Sequence, residues 1–110
     1  MNILFFFIDG FGLGPKDPDI NPIISANTKY LDKILNHQIG EMISTDTQLG
    51  IAGIPQSATG QTALFTGVNA AEKMGRHVSG FPGPTLRKII YENNLFQKFK
   101  TRGKKVTFAN

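Results

Sequence analysis

An uninterrupted apolar run near the start of the chain constrains the fold more than any other sequence feature. It spans residues 3–8, Ile-Leu-Phe-Phe-Phe-Ile, and stops abruptly at Asp9-Gly10. Consecutive apolar side chains, without alternation, are typical of a strand that is buried on both faces, as in a parallel sheet. We therefore predict an α/β fold with a parallel sheet, in which Asp9 stands at the end of the first strand.

The rest of the chain supplies further strands and helices for such a sheet. Helical periodicity predicts a helix from Ser25 or Asn27 to about Asn36, a second over residues 58–66, and a longer one that opens at Pro84 or Thr85 and stops at Gly103. Residues 39–45 read as a weak strand, and another apolar strand begins at residue 106. Because that strand has hardly begun at Asn110, we expect residues 1–110 to be the N-terminal part of a larger domain.

Composition narrows the classes of function. The 110 residues are 40% hydrophobic and include nine Phe, which is enough to bury a core. The chain has no Cys, so a metal would need carboxylate, hydroxyl, imidazole or water ligands, and a cytoplasmic location is expected. The apolar run is too short to span a bilayer, so no membrane partner is expected.

The net charge of +4 is local. Five of the twelve Lys and Arg residues fall within residues 98–105, next to a predicted helix C-terminus. Cations stabilise that end of a helix, and no aromatic residues interleave with them as in a stacking surface. We therefore predict a solvated helix end and no nucleic-acid partner.

Ser57 is the candidate nucleophile. The segment Pro55-Gln-Ser-Ala-Thr-Gly-Gln-Thr-Ala-Leu-Phe-Thr-Gly67 places this hydroxyl where a helix begins. The first backbone N–H groups of a helix lack intrahelical partners and attract phosphate. The ordinary alternative is that Ser57 only caps the helix. Thr62 and Thr66 are weaker candidates, since both should lie inside the helix.

Asp9 is the candidate metal ligand. A carboxylate held at the end of a buried strand can bind a divalent cation, which in turn would favour ionisation of a nearby serine hydroxyl. The alternative role for Asp9 is to stabilise a turn. The series Gly10-Phe-Gly-Leu-Gly14 lacks the spacing and the following helix of a dinucleotide-binding loop.

Arg76 and His77 lie in a Gly- and Pro-rich segment, residues 75–84, for which we predict a loop at one edge of the domain. An Arg there would bind a phosphate oxygen, and His77 would be able to ligate a metal. The alternatives are a solvated Arg and a packed His.

Three stretches in order resemble the alkaline phosphatase superfamily, closest to its cofactor-independent phosphoglycerate mutase and phosphopentomutase branch. The first is residues 5–12, an apolar strand that ends in Asp-Gly. The second is residues 26–32, Ala-Asn-Thr-Lys-Tyr-Leu-Asp, in which Lys29 replaces a Pro. The third is residues 57–67, where the Ser or Thr that becomes phosphorylated lies ten residues before a Gly. That resemblance implies that Asp9 binds metal and that Ser57 forms a phosphoserine.

The same resemblance implies a fold, cofactors and a substrate class. It implies an alkaline-phosphatase-like parallel-sheet core, two divalent ions (zinc, manganese or magnesium) with Asp9 and Ser57 as ligands of one, and a phosphorylated small-molecule substrate. The family's other Asp and His ligands come from later motifs that residues 1–110 do not contain. Hydrolysis and intramolecular transfer both remain open, and the alternative is a non-catalytic fragment or an anion- or partner-binding module.

Overall fold

A computed structural model describes residues 2–109 and divides the chain into two units. Unit 1 ends at Ser44, and unit 2 begins at Thr45. The ordered elements are five α-helices and one 3-10 helix, and no strand forms among residues 2–109. The prediction of an α/β fold with a parallel sheet is therefore wrong, because the described chain is all helical. None of these helices is both long and apolar enough to cross a bilayer.

Unit 1 holds a short 3-10 helix, Pro22–Ile24, and the helix α1, Lys29–Leu35. Thr28 is the N-cap residue of α1, and its hydroxyl donates to the Asp32 carboxylate over 2.8 Å. Lys29 is thus the first helical residue. The predicted helix over residues 25–36 is confirmed in part, since the residues before 28 are not α-helical.

Unit 2 contains four α-helices. They are α2 (Ser57–Thr66), α3 (Ala70–Met74), α4 (Pro84–Asn93) and α5 (Leu95–Lys100). The helix predicted over residues 58–66 is confirmed as α2, which ends at Gly67 with a left-handed φ of 75°. Sequence periodicity did not predict α3, whose five residues span little more than one turn.

The core of unit 2 lies where α3 and α4 pack against α2. Its fully buried apolar residues are Ala58, Ala70 and Leu86, with Val78 and Ile89 packed beside them. On α2 the buried face is made of Ala58 and threonines, so small side chains let the neighbouring helices approach closely. This core holds the start of α2 in place.

The predicted strands fail for a physical reason. An apolar pattern indicates only which side chains favour burial. A strand also needs a neighbouring strand with which its backbone forms hydrogen bonds. In residues 3–8 the side chains remain exposed, from 38% for Phe7 to 82% for Leu4. Phe108, in the predicted last strand, instead makes edge-on ring contacts with Phe65 of α2 and Phe96 of α5, at centroid distances of 6.2 and 6.0 Å.

The long helix predicted from residue 84 to Gly103 is two helices. Asn94 separates them with an extended backbone, φ −63° and ψ 144°. Its side-chain amide donates to the Ile90 carbonyl of α4, and its side-chain oxygen accepts from the Gln97 N–H of α5. One asparagine thus ends α4 and caps α5, which breaks the helix although the apolar periodicity continues.

Candidate functional site

Ser57 is the first helical residue of α2, and it is half-buried. The N-cap residue is Gln56, which has an extended backbone and makes no side-chain capping bond. The position of the helix start is therefore as predicted, but Ser57 itself does not occupy the capping position. The ordinary explanation for a serine at a helix start, that it serves as the N-cap, does not apply here.

The first-turn N–H groups of α2 are engaged by a carbonyl of the same unit. Val78 O accepts hydrogen bonds from Ala58 N at 3.1 Å and from Thr59 N at 3.4 Å. The helical ladder itself begins with Gly60 N, which donates to Gln56 O. Two of the donors that a helix start offers to a phosphate are thus already used by the protein.

The loop that carries Arg76 is anchored on α3, on the segment before α2, and on α2 itself. Its anchors are three hydrogen bonds: Arg76 N to Ala71 O at 3.2 Å, His77 Nε2 to Ile51 O at 2.9 Å, and Val78 N to Thr59 Oγ1 at 3.2 Å. The Arg76 residue is exposed and lies two positions before the carbonyl that meets the helix start. The structure therefore brings the loop of Arg76 to the start of the Ser57 helix.

The far side of this loop is fixed to α4. Arg87 Nε donates to Pro82 O over 2.9 Å, and Pro84 occupies the first turn of α4. Between these anchors lie Ser79, Gly80 and Phe81, of which Gly80 has a left-handed φ of 71°. The segment from Gly75 to Gly83 is a loop, as predicted.

Asp9 belongs to the other unit. It is exposed and sits in a turn with Gly10, whose φ of 71° only glycine adopts readily. No sheet edge positions this carboxylate, in contrast to the expectation from the sequence. Among residues 2–109, no group of three or more His, Cys, Asp or Glu side chains is arranged to hold a metal ion. These residues therefore do not fit a two-metal site by themselves.

Thr62 and Thr66 lie inside the helix α2, as predicted. Both are buried, and their hydroxyls donate to Ala58 O and Thr62 O over 2.6 Å. These hydroxyls are buried and bonded to backbone carbonyls of the same helix, so they are not placed to contact a substrate.

A shallow groove elsewhere in unit 2 contains none of the predicted site residues. Its lining includes Asn94, Phe96, Gln97, Lys100 and Thr101. Nearby, Lys98 of the basic segment donates to Thr66 O at the C-terminus of α2, over 2.9 Å. Lys98 and Lys100 lie in the last turn of their own helix, α5, as predicted, whereas the bond from Lys98 to α2 was not predicted.

The sequence interpretation missed the contact between His77 and Ile51. It considered His77 as a metal ligand or a packed residue, and the structure shows its ring bonded to a backbone carbonyl. Gly53, with a φ of 122°, lies beside the imidazole ring. This glycine, two residues after Ile51, was the sequence signal available for the contact.

Comparison with known proteins gives one partial likeness. No family model matches the chain, and no solved structure matches it. Gigasin-6 from Magallana gigas is 35% identical to the chain over 68 residues, which is 62% of this chain and 20% of that protein. The chain thus spans about a fifth of the length of this curated relative, and the likeness does not establish a family.

Proposed function

We propose that Ser57 accepts a phosphoryl group in a metal-dependent phosphoryl transfer or phosphate-ester hydrolysis. The observation that carries this proposal is the bonding of Val78 O to Ala58 N and Thr59 N. It places the loop of Arg76 against the first turn of the helix that Ser57 begins. A hydroxyl nucleophile and a cation for phosphate are then contributed by neighbouring segments.

The three motifs that resemble the alkaline phosphatase superfamily support the same assignment. In the proposed step, the Oγ–P bond forms while the bond from phosphorus to the leaving oxygen breaks, and the serine proton is lost to a base. Arg76 binds the oxygens of the transferred group, for which a guanidinium offers paired donors. The substrate class is a phosphorylated small molecule, and we propose the cytoplasm as the location.

The resemblance to the alkaline phosphatase superfamily supports the proposed metal dependence, since it implies Asp9 and Ser57 as two of the oxygen ligands. No group of three or more His, Cys, Asp or Glu side chains among residues 2–109 is arranged to hold a metal ion, so the resemblance alone carries this part of the proposal. Asp9→Asn keeps the side-chain shape and removes the charge. We expect it to lower the amount of bound metal, measured by elemental analysis of the purified native protein. An unchanged metal content would remove Asp9 from the site.

Labelling of Ser57 tests the central claim. The native protein, purified from its source cells, would be incubated with divalent ions and a radiolabelled phosphate ester, and modified residues would be located by mass spectrometry. We expect phosphate on Ser57, no label in Ser57→Ala, and normal labelling in the control Ser25→Ala, which changes an exposed serine of unit 1. Label at normal yield in Ser57→Ala would overturn the proposal.

Arg76 is tested by the affinity for inorganic phosphate. Hydrogen bonds to charged groups contribute about 1.5–3 kcal/mol, so Arg76→Ala should weaken phosphate binding by roughly 10- to 100-fold. Arg102→Ala, which removes an exposed cation outside the loop, is the matched control. Equal losses in the two variants would mean that phosphate responds to net charge alone.

A second candidate function is an anion- or partner-binding module without turnover. It is favoured by the lack of a metal-binding group among residues 2–109. This candidate predicts phosphate binding that depends on Arg76 but no phosphoserine at any metal concentration. The labelling and affinity measurements together therefore separate the two functions.

A further inference from the structure

His77 and Val78 contact the chain on both sides of Ser57. His77 reaches the segment that precedes Ser57, and Val78 reaches the residues that follow it. Two adjacent loop residues thus bond to the backbone six positions before the candidate nucleophile and at the two positions directly after it. We call the pair His77-Val78 the clamp.

The His77 half of the clamp is a directed hydrogen bond. A carbonyl oxygen only accepts, so Nε2 of His77 carries the proton that it donates to Ile51 O over 2.9 Å. The ring lies so close to Gly53 that a Cβ atom there would come within 3.3 Å of its Cδ2 atom. With a φ of 122° at Gly53 as well, any side chain at residue 53 would strain the turn and crowd the imidazole.

The Val78 half of the clamp is fixed by backbone bonds and by packing. Its carbonyl accepts from Ala58 N and Thr59 N, and its N–H donates to Thr59 Oγ1. Its side chain packs against the core residues Ala58, Ala70 and Leu86. Because this half is tied to the core, the neighbouring imidazole is presented to Ile51 in a set orientation.

We propose that His77 is a positioning residue for Ser57, which fixes the segment 51–56 so that the hydroxyl is presented at the first turn of α2. This proposal deepens the proposed function and rests on it for its catalytic consequence.

The structural part is tested by amide hydrogen exchange at residues 57–59 in the intact chain. Loss of one hydrogen bond should speed exchange at Ala58 and Thr59 about tenfold in His77→Ala. His77→Gln retains an amide donor near the position of Nε2 and should restore part of the protection. His37→Ala, which changes the exposed histidine of unit 1, should leave these amides unaffected.

Gly53→Ala is an independent variant that keeps the imidazole but crowds it. It should also speed exchange at residues 57–59, and circular dichroism would check that α2 is still formed. If neither His77→Ala nor Gly53→Ala changes exchange at these amides, the clamp does not position Ser57.

The catalytic part is tested by separating binding from chemistry. His77→Ala should slow phosphorylation of Ser57 at least tenfold while the affinity for inorganic phosphate, which depends on Arg76, stays unchanged, and His77→Gln should recover part of the rate. An equal loss of phosphate affinity would assign His77 to binding and overturn a positioning role. If the native protein never forms phosphoserine, the proposed function fails, whereas the exchange experiment still decides whether the clamp exists.

Discussion

Thr59 and Thr62 are both buried hydroxyls of α2, but their hydrogen bonds differ in consequence. The Thr59 hydroxyl donates to Gln56 O and accepts from Val78 N, a residue 19 positions away. The Thr62 hydroxyl donates to Ala58 O within the same helix. Of these bonds, only the one from Val78 N to the Thr59 hydroxyl joins two separate segments of unit 2.

Replacing each threonine with valine therefore should have unequal effects. Thr59→Val deprives Val78 N of its acceptor in a buried place, and we expect it to lower the free energy of unfolding by about 1–3 kcal/mol. In Thr62→Val the Ala58 carbonyl keeps its backbone hydrogen bond within α2. The free energy of unfolding should therefore fall by clearly less than in Thr59→Val. Urea unfolding of both variants measures the difference, and equal losses would contradict the reading of Thr59 as a tie to the loop.

The residues of the candidate site differ in how far sequence alone could place them. Ser57 was predictable as a helix start because the signal is local: Gly53 and Pro55 precede it and an uninterrupted helical segment follows. The bond between Ala58 N and Val78 O was not predictable, because it joins residues 20 positions apart and depends on how the loop folds back. Asp9 was assigned to a strand end that does not form among the described residues.

At the scale of elements, Asn94 decides where α4 ends and α5 begins. We expect Asn94→Ala to lower the free energy of unfolding of unit 2 by about 1 kcal/mol, since it removes the cap of α5. Asn94→Asp keeps the oxygen that accepts from Gln97 N and should retain most of the stability. Asn93→Ala, which removes a side-chain hydrogen bond to Ile89 O within α4 but leaves the cap of α5, is the control, and a loss as large as in Asn94→Ala would refute the capping role.

Gly60 offers a test of helix propensity within α2. A Cβ atom added at Gly60 would meet no atom within 4 Å outside its own helix backbone. Gly is also less favourable than Ala inside a helix by about 1 kcal/mol. We therefore expect Gly60→Ala to raise the melting temperature of unit 2. Gly67→Ala is the matched opposite, because its left-handed φ of 75° should make the same substitution destabilising. A melting temperature that falls in both variants would contradict the open space beside Gly60.

Elements were predictable where the signal was local and not where it depended on a distant partner. The end of α2 at Gly67 follows from a glycine that closes a helical segment. The strand over residues 3–8 was inferred from apolar side chains alone, and no partner strand forms among residues 2–109. The break at Asn94 was hidden because apolar residues recur at helical spacing on both sides of it.

At the scale of the whole molecule, burial is confined to one unit. Every described residue that is fully buried lies in unit 2, namely Ala58, Thr59, Thr62, Thr66, Ala70, Ala71 and Leu86. Residues 2–44 include only half-buried and exposed side chains. Since resistance to local opening depends on buried contacts, the slowest-exchanging amides should belong to α2 and not to α1.

Leu86→Ala tests this division directly. Leu86 is fully buried in the core that joins α2 and α4, so its truncation should cost about 2–5 kcal/mol. We expect amide exchange across α2 to become at least tenfold faster, because each 1.4 kcal/mol corresponds to a factor of ten, while exchange of α1 stays the same. Leu64→Ala, which truncates a leucine of α2 that is 48% exposed, should change neither helix appreciably. If α1 loses protection to the same degree as α2 in Leu86→Ala, the two units unfold as one, and the stability of the chain cannot be assigned to the core of unit 2.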